Sequence, residues 1–187
     1  NKPNILVLIK KGLLNLIIIG IRCKIIYKIF IKSLNKIQLI AEILALKSKP
    51  GDVFFLKGSL GSGKTTFARY FIKFLSKKIK KNQNVVSPTY NLIQNYDCDG
   101  KKLVCHIDLY RLKNIKEILN LGLFEEIENK IALIEWPEKI EKFFKDRIEI
   151  NFKIEKKEIE SRSITLKGYG KNHKKKLDSI NLKKFII

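Results

Sequence analysis

"VFFLKGSLGSGKTTFARYFIKFL", residues 53–75, decides the fold. Its first six residues form a compact apolar run that predicts a strand. The run leads straight into Gly58-x-x-x-x-Gly63-Lys64-Thr65, which matches the phosphate-binding-loop pattern in full. From residue 65 to 81 the spacing predicts an amphipathic helix with Phe67, Tyr70, Phe71, Phe74 and Leu75 along one side. Those aromatics read as core in preference to a stacking platform for bases.

The chemistry explains the spacing. Glycines let the backbone curl so that several N–H groups point inward, and the start of the helix adds the positive end of its dipole. Gly58, Ser59, Leu60, Gly61, Ser62, Gly63, Lys64, Thr65 and Thr66 form the expected nucleotide cradle. Lys64 is expected to reach the β- and γ-phosphates, and the Thr65 hydroxyl to ligate Mg2+. A phosphate-bound Mg2+ also needs carboxylates from strand ends. Asp108 after "LVCHI" and Glu135 after "IALI" are the two candidates for a metal and water-positioning pair. Thr89, in "SPTY", lies on a loop that could sense the γ-phosphate as a switch loop does. "NKIA" at 129–132 lacks the acid of a guanine-reading NKxD signature, so ATP is favoured over GTP.

Outward from the loop, strands and helices alternate, which predicts an α/β fold. Specifically, it predicts a P-loop NTPase-like three-layer sandwich around a mainly parallel, mixed central sheet. Residues 24–34 alternate as a first strand, and Ser33 is placed to cap the helix that follows. Lys49-Pro50-Gly51-Asp52 predicts a turn, and Asp97 to Gly100 a hairpin-like one. Residues 116–129 read as one helix weakened by Gly122, and residues 147–170 as an edge hairpin.

With 187 residues, the chain suits one well-buried core. Residues 24–170 are the expected ATPase domain. Residues 1–23 are read as an N-terminal extension, non-native or disordered, and residues 171–187 as a mobile basic tail. The apolar run 12–21 is too short for a membrane-spanning helix, so no stable membrane association is expected. Three cysteines without CxxC spacing and two distant histidines argue against a zinc site or a disulfide framework, and fit a cytoplasmic setting. A net charge of +21 would favour a polyanion such as RNA, but the lysines are dispersed, as a lysine-biased coding background would also make them.

"GSLGSGKTTF", "VVSPTYNLIQNY", "HIDLYRL", "GLFEEI" and "IALIEWPE", in this order and spacing, resemble the TsaE (YjeE) family of bacterial P-loop ATPases, over about residues 24–170. The resemblance implies an ATPase required for tRNA threonylcarbamoyladenosine modification, using ATP and Mg2+. It implies Thr65 and Glu135 as Mg2+ ligands, Asp108 as a second metal-shell or water-positioning acid, and Thr89 as a nucleotide sensor. Trp136 is expected near the nucleotide, a core role being the alternative. TsaD and TsaB are the implied partners, with tRNA reached through them, and hydrolysis by the isolated chain is expected to be slow. Arg69 and Arg111 are candidate arginine fingers. Ser59 and Asn91 depart from the family's usual residues, and neither change removes a metal ligand. A small-molecule kinase and an ATP-switched RNA-binding module are the rival readings.

Overall fold

The computed structural model describes residues 5–11, 14–21, 24–31, 35–76, 84–98, 102–155 and 161–180. At 5–11, 14–21, 24–26, 31 and 35 only the backbone is described. In chain order the elements are β1 (Ile5–Lys11), β2 (Leu14–Ile21), β3 (Lys24–Ile31), α1 (Asn35–Leu46), β4 (Val53–Gly58), α2 (Lys64–Ser76), β5 (Ile93–Asp97) and β6 (Leu103–Asp108). They continue with α3 (Ile115–Asn120), α4 (Leu123–Ile127), β7 (Ile131–Glu135), β8 (Arg147–Ile154), β9 (Arg162–Tyr169) and α5 (Gly170–Ser179). Ser33, residues 77–81 of the expected second helix, residues 99–100 of the hairpin-like turn and residues 181–187 lie outside the described residues.

Period-two alternation in the buried strands divides the core into two halves, one on each face of the sheet. Phe54, Leu56, Val104, Ile131 and Leu133 face one way, against Ile37, Ile40 and Leu44 of α1 and Phe67, Phe71 and Ile72 of α2. Val53, Phe55, Cys105, Ile107, Ala132 and Ile134 face the other way, against Ile118 of α3 and Leu123 of α4. This is the expected three-layer arrangement. The aromatics of α2 are core, with Phe71 edge-on to Phe54 at 5.3 Å and Phe67 edge-on to Phe152 at 5.8 Å between centroids.

The sheet runs β1-β2-β3-β9-β8-β4-β7-β6-β5. It is mixed, and its parallel part is the central run β8-β4-β7-β6, flanked on both sides by antiparallel pairs. β4, β7 and β6 therefore end side by side, which is where parallel α/β sheets place their ligands.

The structure differs from the sequence expectations in four places. Residues 5–21 supply two antiparallel strands that extend the sheet beyond β3. The β8–β9 hairpin is internal, because β3 pairs with the far side of β9. The helix expected over 116–129 is broken in two, because Gly122 takes the left-handed conformation at φ 62°.

The fourth difference is the expected mobile tail, which begins as helix α5 packed on β9, with His173 and Leu177 buried. Lysine density hid this docking, since only those two side chains of α5, at i and i+4, are buried. Tyr27 donates its hydroxyl to the Leu177 carbonyl at 3.4 Å. His173 Nδ1 lies 2.6 Å from Asp146 Oδ1, its Nε2 lies 3.3 Å from Asp52 Oδ1, and Lys176 pairs with Asp52. No helix among the described residues is long and apolar enough to cross a membrane.

Candidate nucleotide site

The glycine loop leaves β4 hard against β8. A Cβ built on Gly58 would stand 2.3 Å from the Phe152 carbonyl oxygen and 2.7 Å from Ser62 Oγ, and φ there is 138°. Only glycine fits that turn, and this is the physical content of the first glycine in the motif. Beyond it the chain curls back, and α2 begins at Lys64 with its first N–H groups facing the loop.

A cavity of about 230 Å³ opens over the ends of the parallel strands. It is lined by Leu60 to Thr66, Ser87, Thr89, Asp108, Tyr110, Glu135 and Trp136. Lys64, Thr65, Thr89, Asp108 and Glu135 are therefore all at this one place. Of the cradle residues, Gly58 and Ser59 do not line it, and their carbonyls accept hydrogen bonds from Lys64 Nζ at 2.8 Å each.

Lys64 is almost fully buried and stands 4.0 Å above the centre of the Trp136 ring. Burial lowers the pKa of its ammonium, against the opposing pull of Glu135, Asp108 and Glu138. A desolvated cation held only by carbonyls and a ring face gains strongly from an incoming phosphate. Trp136 both lines the cavity and packs on the second core half. It holds a left-handed backbone at φ 56° and ψ 52°, a strained state for a bulky residue, and its ring leans on Tyr110 at 4.9 Å.

Parallel pairing sets the acids. Asp108 and Glu135 are register partners at the ends of β6 and β7, and both are buried. Glu135 Oε2 accepts a 3.1 Å hydrogen bond from Thr65 Oγ1. Asp108 Oδ2 accepts one of 2.5 Å from Thr89 Oγ1, and its Oδ1 accepts from the Tyr110 backbone N–H at 2.9 Å. Ser87 and Thr89 hydroxyls are 2.8 Å apart. The donor set facing the loop is thus a hydroxyl and two carboxylates, all hard oxygen ligands, which suits Mg2+ shared with a phosphate.

Neither arginine considered as a finger lines the cavity. Arg69 Nε donates to the Val85 carbonyl at 3.0 Å, and Arg111 stacks on the exposed Tyr90 ring at 4.6 Å. Sequence reasoning missed His106. Its Nε2 lies 2.9 Å from Glu135 Oε1, with both side chains buried. The signal was present in "HIDLY": alternation puts His106 and Asp108 on the same face of one strand.

Comparison with known proteins matches residues 31–164 to the family model described as threonylcarbamoyl adenosine biosynthesis protein TsaE. A curated relative from Rickettsia felis, tRNA threonylcarbamoyladenosine biosynthesis protein TsaE, is 40% identical over 116 residues, covering 62% of this chain and 66% of its own. One of the same description from Rickettsia conorii is 42% identical over 99 residues, covering 53% of this chain and 54% of its own. Another, from Bacillus subtilis, is 35% identical over 136 residues, covering 72% and 80%. The match thus spans about half to four-fifths of these relatives. The crystal structure of Bacillus subtilis YdiB superposes with a TM-score of 0.65 at 27% identity, over 82% of this chain and 93% of that one.

Proposed function

This chain belongs to the TsaE family of threonylcarbamoyl adenosine biosynthesis proteins, and from that premise we propose that it is a Mg2+-dependent ATPase serving tRNA threonylcarbamoyladenosine formation with TsaD and TsaB. The observation that carries the reading is the convergence of Lys64, Thr65, Asp108 and Glu135 on one cavity above the loop.

The residues divide the work. Backbone N–H groups of the loop and the first turn of α2 bind the phosphates. Lys64 exchanges the carbonyls of Gly58 and Ser59 for phosphate oxygens, which leaves the loop closed around its ligand. Thr65 and Glu135 would hold Mg2+, which when bound neutralises charge on the phosphate oxygens. Asp108, at the adjacent strand end, orients the attacking water and accepts its proton. The Thr89 hydroxyl holds that carboxylate and couples it to the 87–92 loop. With Arg69 and Arg111 both directed elsewhere, groups that speed hydrolysis are to be supplied by the partners.

The test is ATP hydrolysis by this chain alone and after adding TsaD, TsaB and substrate tRNA. Slow turnover alone with strong stimulation by the complex supports the proposal. Equal, fast release of phosphate in both cases would remove the partners from the mechanism. Transfer of phosphate to an acceptor would replace the ATPase with a kinase.

A further inference from the structure

We propose that His106 is a positioning residue that fixes the Glu135 carboxylate for metal binding; the inference rests on the nucleotide-site reading above. Glu135 has two oxygens with separate neighbours. Oε2 faces Thr65 Oγ1 at 3.1 Å, inside the cavity, while Oε1 faces His106 Nε2 at 2.9 Å, beneath it. The imidazole is fully buried and the carboxylate nearly so, so water does not compete for the bond.

His106 Nδ1 is buried and has no hydrogen-bond partner among the described residues. A histidine kept only for packing would be better replaced by an apolar residue, because the orphaned nitrogen is desolvated without return. Among the described residues, the ring's single polar contact is the one to Glu135. With the ring proton on Nε2, Nε2–H donates to Oε1, and the bare Nδ1 is left as a desolvated acceptor. Such a donor selects one rotamer of the carboxylate and leaves Oε2 free to face the cavity. Partners that orient a ligating carboxylate are worth about 10- to 100-fold in metal affinity.

His106→Leu removes the donor while keeping an apolar side chain of similar size, and His106→Gln offers an amide N–H in place of Nε2. Trp136 is the only tryptophan in the chain and lies beside Lys64, so its fluorescence reads the site directly. With ADP bound, Mg2+ is titrated into wild type and both variants, and thermal melts are recorded. His106→Leu is expected to weaken Mg2+ about 10-fold or more with no loss of melting temperature, and His106→Gln to recover most of the affinity. In turnover, His106→Leu lowers kcat at fixed Mg2+ more than it changes KM for ATP. Unchanged Mg2+ affinity in His106→Leu overturns the positioning role alone. A wild-type protein whose fluorescence ignores ADP and Mg2+ overturns the nucleotide site itself.

Discussion

Thr89 donates a 2.5 Å hydrogen bond to Asp108, tying the loop that carries Ser87 and Thr89 to the end of β6. The loop's position and the orientation of the acid are therefore one variable. Thr89→Val keeps the shape and removes the donor. Hydrogen bonds to charged groups contribute about 1.5–3 kcal/mol, so turnover in the assembled complex should fall about tenfold or more. Nucleotide affinity, read from Trp136 fluorescence, should stay within a few fold. Equal losses in both would mean that the loop binds nucleotide and does not sense it.

Lys64 and Glu135 should separate by readout. Lys64→Ala removes the only buried ammonium lining the cavity among the described residues, and should weaken ATP binding about 10- to 100-fold, the scale of a charge-assisted contact to phosphate. Glu135→Ala should depress hydrolysis more than binding. Calorimetric titration beside single-turnover hydrolysis distinguishes them, and normal hydrolysis by Glu135→Ala in the complex would refute its assignment to the metal.

Gly58→Ala places a methyl group 2.3 Å from the Phe152 carbonyl oxygen. Neither strand can withdraw without breaking the β4–β8 ladder. The expected cost is about 1–3 kcal/mol of stability from overpacking, with loss of nucleotide binding. Chemical denaturation and fluorescence titration of the same sample test both halves.

The docking of α5 should be acid-sensitive. Burial pushes the Asp52 carboxyl up, but hydrogen bonds from His173 and Lys176 outweigh it and hold the group below the usual carboxylate range. Asp146 is likewise pushed up by burial and brought below its ordinary value by His173. Lowered folded-state values contribute stability above the unfolded carboxylate pKa, about 4, and that contribution is lost as the pH falls through the folded value. Asp52→Asn should therefore lower the melting temperature by several degrees at pH 7, with the gap to wild type closing toward pH 3. A gap independent of pH would show that Asp52 acts by packing alone.

Leu177, on the inward face of α5, is fully buried. Leu177→Ala should destabilise the fold by about 2–5 kcal/mol, the range for a large-to-small core change, measured by urea denaturation. A negligible effect would mean that the helix contributes nothing to the core.

The sequence by itself determined the local chemistry: where the loop curls, which helix follows it, and which strands end in an acid. Glycine spacing and hydrophobic period are short-range properties, so residues 53–75 announce β4, the loop and α2 without help. Tertiary structure decided what depends on partners far along the chain. Asp108 and Glu135 became neighbours through parallel pairing of β6 and β7, and His106 found Glu135 across the same pair. The docking of α5 needed Asp52, more than 100 residues away in sequence, and Asp146, more than 20 away, to reach His173. Long-range contacts of this kind leave no period in the sequence, because each residue's role is set by what the folded sheet brings beside it.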